Sequence, residues 1–237
     1  MSSRALAVIP ARGGSRRVPG KNVKLLAGKP AIVYTIEAAI ASDLFDRIVV
    51  STDSKSIADI AVAAGAEVPF VREAALSGDH TAVSDVTVDA LMRVDPDAAK
   101  YDFICQLMAN CPLRNADDIV SSYRQFSESG AGAQISVTSY GWFNPWWAVE
   151  RDADFRLKHI LPEALGKRSQ DLPDVYCPTG AVWWARSEVL RKERNFHTDD
   201  KRGWEMPWYR AVDIDSEEDW RMAEALLKMA ARKGVEG

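Results

Sequence analysis

Residues 5–9, ALAVI, form an apolar run with no polar position on either face, and Pro10 ends it. That pattern predicts a strand buried on both sides, as in a parallel sheet covered by helices. The period then changes. Past Pro30, the residues Ile32, Val33, Ile36, Ala39 and Ile40 recur at helical spacing, and a proline suits a helix's first turn. RIVVS at 47–51 predicts a second buried strand, after which Ser54 can cap a helix running to about Gly65. A short strand is expected at EVPFV (67–71), a helix over 81–94 and a strand over YDFICQLM (101–108). Asn115 is placed to cap the following helix, with Asp117 and Asp118 in its first turn where the helix dipole favours them. AQISVTS at 133–139 reads as the next strand.

This rhythm breaks between about 140 and 180, a stretch rich in Trp, Pro and charge that shows no clean helix. AVWWARS (181–187) resumes as a strand, WYRAVDID (208–215) reads as the last strand, and an amphipathic helix closes the chain from Ser216 to Gly234. Strands alternating with helices imply an α/β fold, a mostly parallel sheet with helices on both faces and hence three layers. The expectation is one domain over 1–237, with 140–180 as an irregular insertion.

Composition narrows the function classes. The chain has 237 residues, of which 47% are hydrophobic and 27% charged, with a net charge of −4. Such a chain can bury a real core, and it lacks the broad basic character of a nucleic-acid or bilayer binder. No apolar run approaches the roughly 20 residues needed to span a bilayer, and no signal peptide is expected at the N-terminus. Cys105, Cys111 and Cys177 are odd in number and form no CxxC pair, which favours a reducing, cytoplasmic setting. His80, His159 and His197 are scattered, poor material for a zinc site.

The charge is unevenly spread. Seven Lys or Arg precede the first acid, Glu37, and four of them, Arg12, Arg16, Arg17 and Lys21, share the loop ARGGSRRVPGKN with three glycines. The loop should leave the carboxyl end of the first strand, where α/β sheets bind ligands. Glycines admit close approach to phosphate oxygens, and Arg and Lys add charge-assisted hydrogen bonds. Without nearby acids the four cations repel one another, so a phosphate ligand is expected. The loop is neither of two familiar phosphate motifs. Five residues separate Gly14 from Gly20 and Asn22 ends the run, unlike a P-loop, and GxGxxG is absent.

Near the other end, Asp213 and Asp215 flank Ile214. On a strand both carboxylates would share one face, a spacing that lets them hold a divalent metal through hard oxygen donors. Capping competes as a reading for this region. Ser216 with Asp219 makes a capping box, and Glu217 and Glu218 suit a first turn. Asp213 precedes the cap and is not explained by it. Asp53 is expected to shape a loop or cap a helix, and Trp146, Trp147, Trp183 and Trp184 are expected at a subunit interface.

ARGGSRRVPGKN, VSTD (50–53), CPLR (111–114), KRSQDLP (167–173), TGA (179–181) and DIDSEEDW (213–220) stand in the order found in one family. Together they resemble the acylneuraminate cytidylyltransferases, which activate sialic acids and related nine-carbon sugars, with KRSQDLPDVY and DIDSEEDW nearest the pseudaminate branch. The resemblance covers nearly the whole chain. It implies a Rossmann-like nucleotidyltransferase fold whose irregular insertion reaches a second subunit, and so a homodimer. It implies CTP and an acidic nonulosonic sugar as substrates, with Mg²⁺ held by Asp213 and Asp215. Catalytic roles would fall to Arg12, Lys21, Asp213 and Asp215. The nucleotide would be bound by Arg12, Gly13, Gly14, Ser15, Arg16, Lys21, Asn22, Arg72 and Ser84. Lys167, Arg168 and Gln170 would meet the sugar, although KRSQDLP also reads as a plain charged loop before Pro173.

Two departures stand out. Arg16 replaces the family's usual Lys, exchanging a point charge for a planar fork. MANCPLR stands where sialate enzymes have QPTSPLR, so Met108 replaces a Gln expected at the sugar. An apolar side chain there suits a deoxygenated sugar. The implied reaction is attack of an anomeric hydroxyl on the α-phosphorus of CTP, with pyrophosphate leaving. The rivals are a Kdo-type or other sugar nucleotidyltransferase, a glycosyltransferase using DID to hold a nucleotide-sugar, and a nucleotide-binding protein without catalysis.

Overall fold

The computed structural model describes residues 4–141 and 143–233. Trp142 of the insertion and Gly234, the expected end of the last helix, lie outside them. In chain order the elements are β1 (Ala5–Pro10), β2 (Leu25–Leu26), β3 (Lys29–Pro30), α1 (Ala31–Ala41), β4 (Arg47–Ser51), α2 (Lys55–Ala63), α3 (Val83–Val94) and β5 (Phe103–Gln106). There follow α4 (Ala116–Ser129), β6 (Ala133–Ser139), β7 (Val149–Arg151), β8 (Leu157–His159), β9 (Tyr176–Arg186), α5 (Ser187–Glu193), β10 (Arg202–Glu205) and α6 (Glu217–Lys233).

Six strands make the main sheet in the order β10-β6-β9-β5-β1-β4. β1 pairs in parallel with β4 and β5, β10 pairs in parallel with β6, and β9 alone runs antiparallel, between β5 and β6. The α/β, mostly parallel sheet is thus as expected. The unbroken apolar run of β1 is explained by alternation. Ala5, Ala7 and Ile9 enter one core with Ile32 and Ile36 of α1 and Phe126 of α4. Leu6 and Val8 enter the other, with Val88 and Leu91 of α3 and Leu190 of α5.

A third, smaller cluster positions the site. Val18 of the basic loop packs with Leu26, Ala31, Ile214, Trp220 and Ala223. Ile214 is fully buried, which contributes about 2 kcal/mol. Its burial pins the dicarboxylate segment against the loop that carries the cations.

Several expected elements differ. No strand forms over 208–215. Arg210 and Ala211 turn back to the Pro207 carbonyl, and the Ile214 N–H donates to the Asn110 carbonyl at 2.9 Å instead of joining a ladder. The shared-face argument for Asp213 and Asp215 therefore fails, because it required a pleated strand. The last strand is instead β10, a short edge whose one buried side chain is Trp204. β9 begins well before 181; Pro178 and Gly180 read as breakers, but the ladder accommodates them beside the register shift between Ile135 and Val137. At 67–71 only Glu67 bridges to Val49. Ser54 precedes α2 without a side-chain capping bond, whereas Asn115 caps α4 as expected, and Asp118 goes beyond its dipole role by completing a capping box with it. The tryptophans divide. Trp184 is fully buried and stacks on Phe45 at 5.6 Å, and Trp183 packs on Phe196, so both are core residues. Trp147 is 42% exposed.

Candidate active site

The basic loop leaves the carboxyl end of β1, at the point where chain connections depart to β4 on one side and β5 on the other. Open α/β sheets bind ligands at such a reversal. Backbone contacts fix the loop's shape. The Gly13 N–H donates to Asp53 Oδ1 at 2.8 Å, and a Cβ on Gly13 would lie 3.0 Å from Ser54 Cβ. Gly20 has φ +63°, a left-handed conformation that costs a side-chain-bearing residue free energy. Asn22 is buried and its Nδ2 donates to the Arg12 carbonyl at 3.0 Å. Asp53 is the loop former the sequence suggests.

The four cations are not free of acids. Arg12 Nη1 lies 2.6 Å from Asp79 Oδ1, and Arg16 Nη2 lies 2.9 Å from Asp79 Oδ2. Arg12's hydrogen bond is the main reason the Asp79 carboxyl is held below its ordinary value. Arg17 Nη2 lies 2.7 Å from Asp215 Oδ2, and Lys21 Nζ lies 3.2 Å from Asp215 Oδ1. Lys21 also donates to the Ile214 carbonyl at 2.5 Å. Folding therefore supplies two acids, each 63 or more residues in the chain from the cations it pairs with, to a cluster that looks unpaired in sequence.

One cleft is lined by Arg12, Ser15, Arg16, Arg17, Lys21, Asn22, Met108, Asn110 and Asp215. Asp213 stands beside it, with Asn110 Nδ2 donating to its Oδ1. By surface area Asp213 is exposed, yet the protein packed around its carboxyl, with the Asp215 charge added, pushes it from 3.8 up to about 6. Two carboxylates held close enough to raise a pKa make a cation-seeking pair of hard oxygen donors. Among the described residues no group of three or more His, Cys, Asp or Glu could hold a metal.

Other expected site residues fall elsewhere. Met108 lines the cleft, and Gly180 of TGA lets it sit there, because a Cβ on Gly180 would come within 2.8 Å of Met108 Cγ. Gly14 belongs to the same loop but does not line the cleft. Arg72 is buried with its Nη2 3.8 Å from Asp53, and burial pulls its guanidinium below the ordinary value. Its Nε and Nη2 make no hydrogen bond. Ser84 is buried in the first turn of α3. Neither Arg72 nor Ser84 lines the cleft. Lys167, Arg168 and Gln170 are exposed on the insertion and are not among the lining residues, and Arg168 pairs with Asp171 at 2.8 Å. Cys105 and Cys111 are fully buried, with thiols pushed well up by burial, so neither is an available nucleophile. Asp79 and Asn110 were not legible as site residues. Asp79 lies in a loop without pattern, and Asn110 acts through a partner 103 residues away.

The profile of a family described as cytidylyltransferase matches residues 6–144. The chain is 34% identical to the CMP-N,N'-diacetyllegionaminic acid synthase of Legionella pneumophila, over 95% of this chain and 97% of that protein. It is 32% identical to the pseudaminic acid cytidylyltransferase of Campylobacter jejuni, over 94% and 96%. A solved structure of CMP:2-keto-3-deoxy-manno-octonic acid synthetase complexed with CTP superposes with a TM-score of 0.72 at 18% identity, covering 96% of this chain and all of that one.

Proposed function

The chain belongs to the cytidylyltransferase family, and from that premise we propose that it transfers CMP from CTP to the anomeric hydroxyl of a nonulosonic, sialic-acid-like sugar, releasing pyrophosphate. One observation carries the reading. Lys21 reaches from the basic loop to both the Ile214 carbonyl and the Asp215 carboxylate, so the cations share one cleft with Asp215, and Asp213 stands beside it through Asn110. A phosphate cradle alone would serve any nucleotide-binding protein. A dicarboxylate beside it suits a reaction in which charge moves between phosphates.

Phosphoryl transfer depends mostly on positioning and charge stabilisation. Arg12 and Lys21, which line the cleft, would neutralise charge growing on the departing pyrophosphate, and Arg16 and Arg17 would add to the field there. As the anomeric oxygen bonds to the α-phosphorus, the bond from that phosphorus to the bridging oxygen breaks, and the hydroxyl proton passes to solvent or a neighbouring base. Asp213 and Asp215 are the residues that would hold Mg²⁺, and the raised pKa of Asp213 fits a pair awaiting a cation. Bound there, Mg²⁺ would polarise the α-phosphate. Met108 presents an apolar side chain to the cleft, which supports a sugar carrying fewer hydroxyls than common sialic acid. The relatives named for legionaminic and pseudaminic acid point to the same substrate class.

Pyrophosphate release should be measured with CTP, UTP, ATP and GTP against a panel of eight- and nine-carbon ulosonic acids. Release with CTP and a nine-carbon acid supports the reading, release only with an eight-carbon acid moves the enzyme to the Kdo type, and no release with any pair ends it. A glycosyltransferase would instead consume a preformed nucleotide-sugar.

Asp79 occupies the cations that a triphosphate needs. Asp79→Asn is therefore expected to tighten CTP binding severalfold by titration calorimetry, with the gain shrinking at high salt. Unchanged or weaker binding would show that the carboxylate does not compete with phosphate.

The insertion supports a homodimer. Among the described residues of the segment 147–165, Trp147, Val149, Phe155, Leu157, Ile160 and Leu165 are exposed, most of them on or beside the β7–β8 hairpin. Clustered exposed apolar side chains mark an interaction surface. Leu157→Asp is expected to shift the mass measured by light scattering from dimer to monomer. A wild-type monomer at micromolar concentration would refute this. No helix among the described residues is long and apolar enough to cross a membrane, and three free thiols accord with a cytoplasmic setting.

A further inference from the structure

Because 213–215 is not a strand, no ladder orients the Asp213 carboxylate. The backbone bond from Ile214 N–H to the Asn110 carbonyl fixes the height of the segment, and any residue at 110 could accept it. The Asn110 side chain does something further. Its Nδ2 donates to Asp213 Oδ1, the side-chain hydrogen bond that holds this carboxylate among the described residues. An ionised carboxylate only accepts, so the amide must turn its nitrogen toward it. Asn110 is 8% exposed, and its Oδ1 is buried without a donor. An unpartnered buried carbonyl destabilises a fold. An aliphatic residue would pack this position more favourably, which leaves the bond to Asp213 as the feature the amide provides.

We propose that Asn110 is a positioning residue, which fixes the Asp213 carboxylate in the orientation that receives a divalent cation together with CTP. The proposal rests on the cytidylyltransferase reading and concerns how its site is built. Hydrogen-bond partners of metal-binding carboxylates, when removed, weaken metal affinity by roughly 10–100-fold.

The test compares wild type with Asn110→Ala, which removes the donor, and Asn110→Leu, which removes it while keeping a side chain of similar size and adding no charge. Mn²⁺ binding to the protein with CTP and no sugar is read from the free-ion electron paramagnetic resonance signal, and CTP binding is measured separately in EDTA. Both variants are expected to bind Mn²⁺ at least about tenfold more weakly, Asn110→Leu no less affected than Asn110→Ala, with CTP binding in EDTA within about twofold of wild type. In turnover assays the Mg²⁺ concentration for half-maximal kcat should rise in parallel, while KM for CTP at saturating Mg²⁺ holds. Wild-type Mn²⁺ affinity in either folded variant overturns the proposal, as does equal loss of CTP binding in EDTA. Should Asn110→Ala fail to fold, the cavity-filling Asn110→Leu decides alone. The Mn²⁺ arm needs no sugar, so it still rules on Asn110 if no ulosonic acid yields pyrophosphate, a result that overturns only the proposed reaction.

Discussion

Asp213→Asn is expected to lower kcat for pyrophosphate release by at least about a hundredfold, equivalent to ~3 kcal/mol of barrier, while leaving a folded protein that is more stable than wild type in metal-free buffer near neutral pH. The two effects have one origin. Asp213 sits among protein atoms beside Asp215, and this pushes its carboxyl from 3.8 up to about 6. For an acid whose folded pKa is raised, the native state binds more protons than the unfolded state between the two values. Stability therefore falls as pH rises from about 4 to about 6 and stays low above that. Asparagine carries no charge and its carbonyl still accepts the Asn110 hydrogen bond, so the variant escapes this loss. Its gain in melting temperature should be absent near pH 4 and complete above pH 6, with a chelator present throughout. Loss of turnover with no such pH-dependent gain would mean the carboxylate is not strained in the free protein. Near-normal turnover would remove Asp213 from the reaction.

That pairing of strain with function accounts for what was legible in the sequence. β1 and its cradle were readable because their signals are local: an apolar run without gaps, glycines, and cations with no acid nearby. The cap at Asn115 and the capping box at Ser216 were readable for the same reason, each confined to four residues. The dicarboxylate was found for an argument the fold does not support. Alternation in WYRAVDID suggested a strand, but the apolar positions answer to a different geometry. Ala211 faces the main core, and Ile214 the small cluster around Val18 and Trp220. A single buried Ile, and a backbone bond to Asn110, place Asp213 without a pleat. The acids that neutralise the cradle were invisible because each is set by tertiary contact: Asp79 comes from the loop before α3, and Asp215 from the approach to α6. Gly180 similarly has no local pattern. Its need for a missing side chain appears only when Met108 is laid against it.

The sharpest separation of roles should come from Lys21→Ala set beside Arg12→Ala. Both are expected to lose at least about a hundredfold in kcat/KM, since each removes one cation from the same cleft. Their stabilities should part. Arg12 is about one-third exposed and its Asp79 partner is on an open loop, so its loss should leave the melting temperature within a few degrees, as for exposed ion pairs generally. Lys21 has 14% of its side chain exposed and bonds both the Ile214 carbonyl and Asp215. Removing it frees a carbonyl beside the buried Ile214 and leaves Asp215 with Arg17 alone. Losing a charge-assisted bond of this kind costs about 1.5–3 kcal/mol, readable in urea unfolding as a lower midpoint at unchanged slope. Lys21→Arg keeps the charge but not the compact reach of an ammonium. It should restore part of the stability and little of the turnover, because the carbonyl and the carboxylate are set for a point donor. If Lys21→Ala instead unfolds at the wild-type midpoint, the cradle and the carboxylates are joined by the Val18–Ile214 packing alone, and Lys21 serves the nucleotide only.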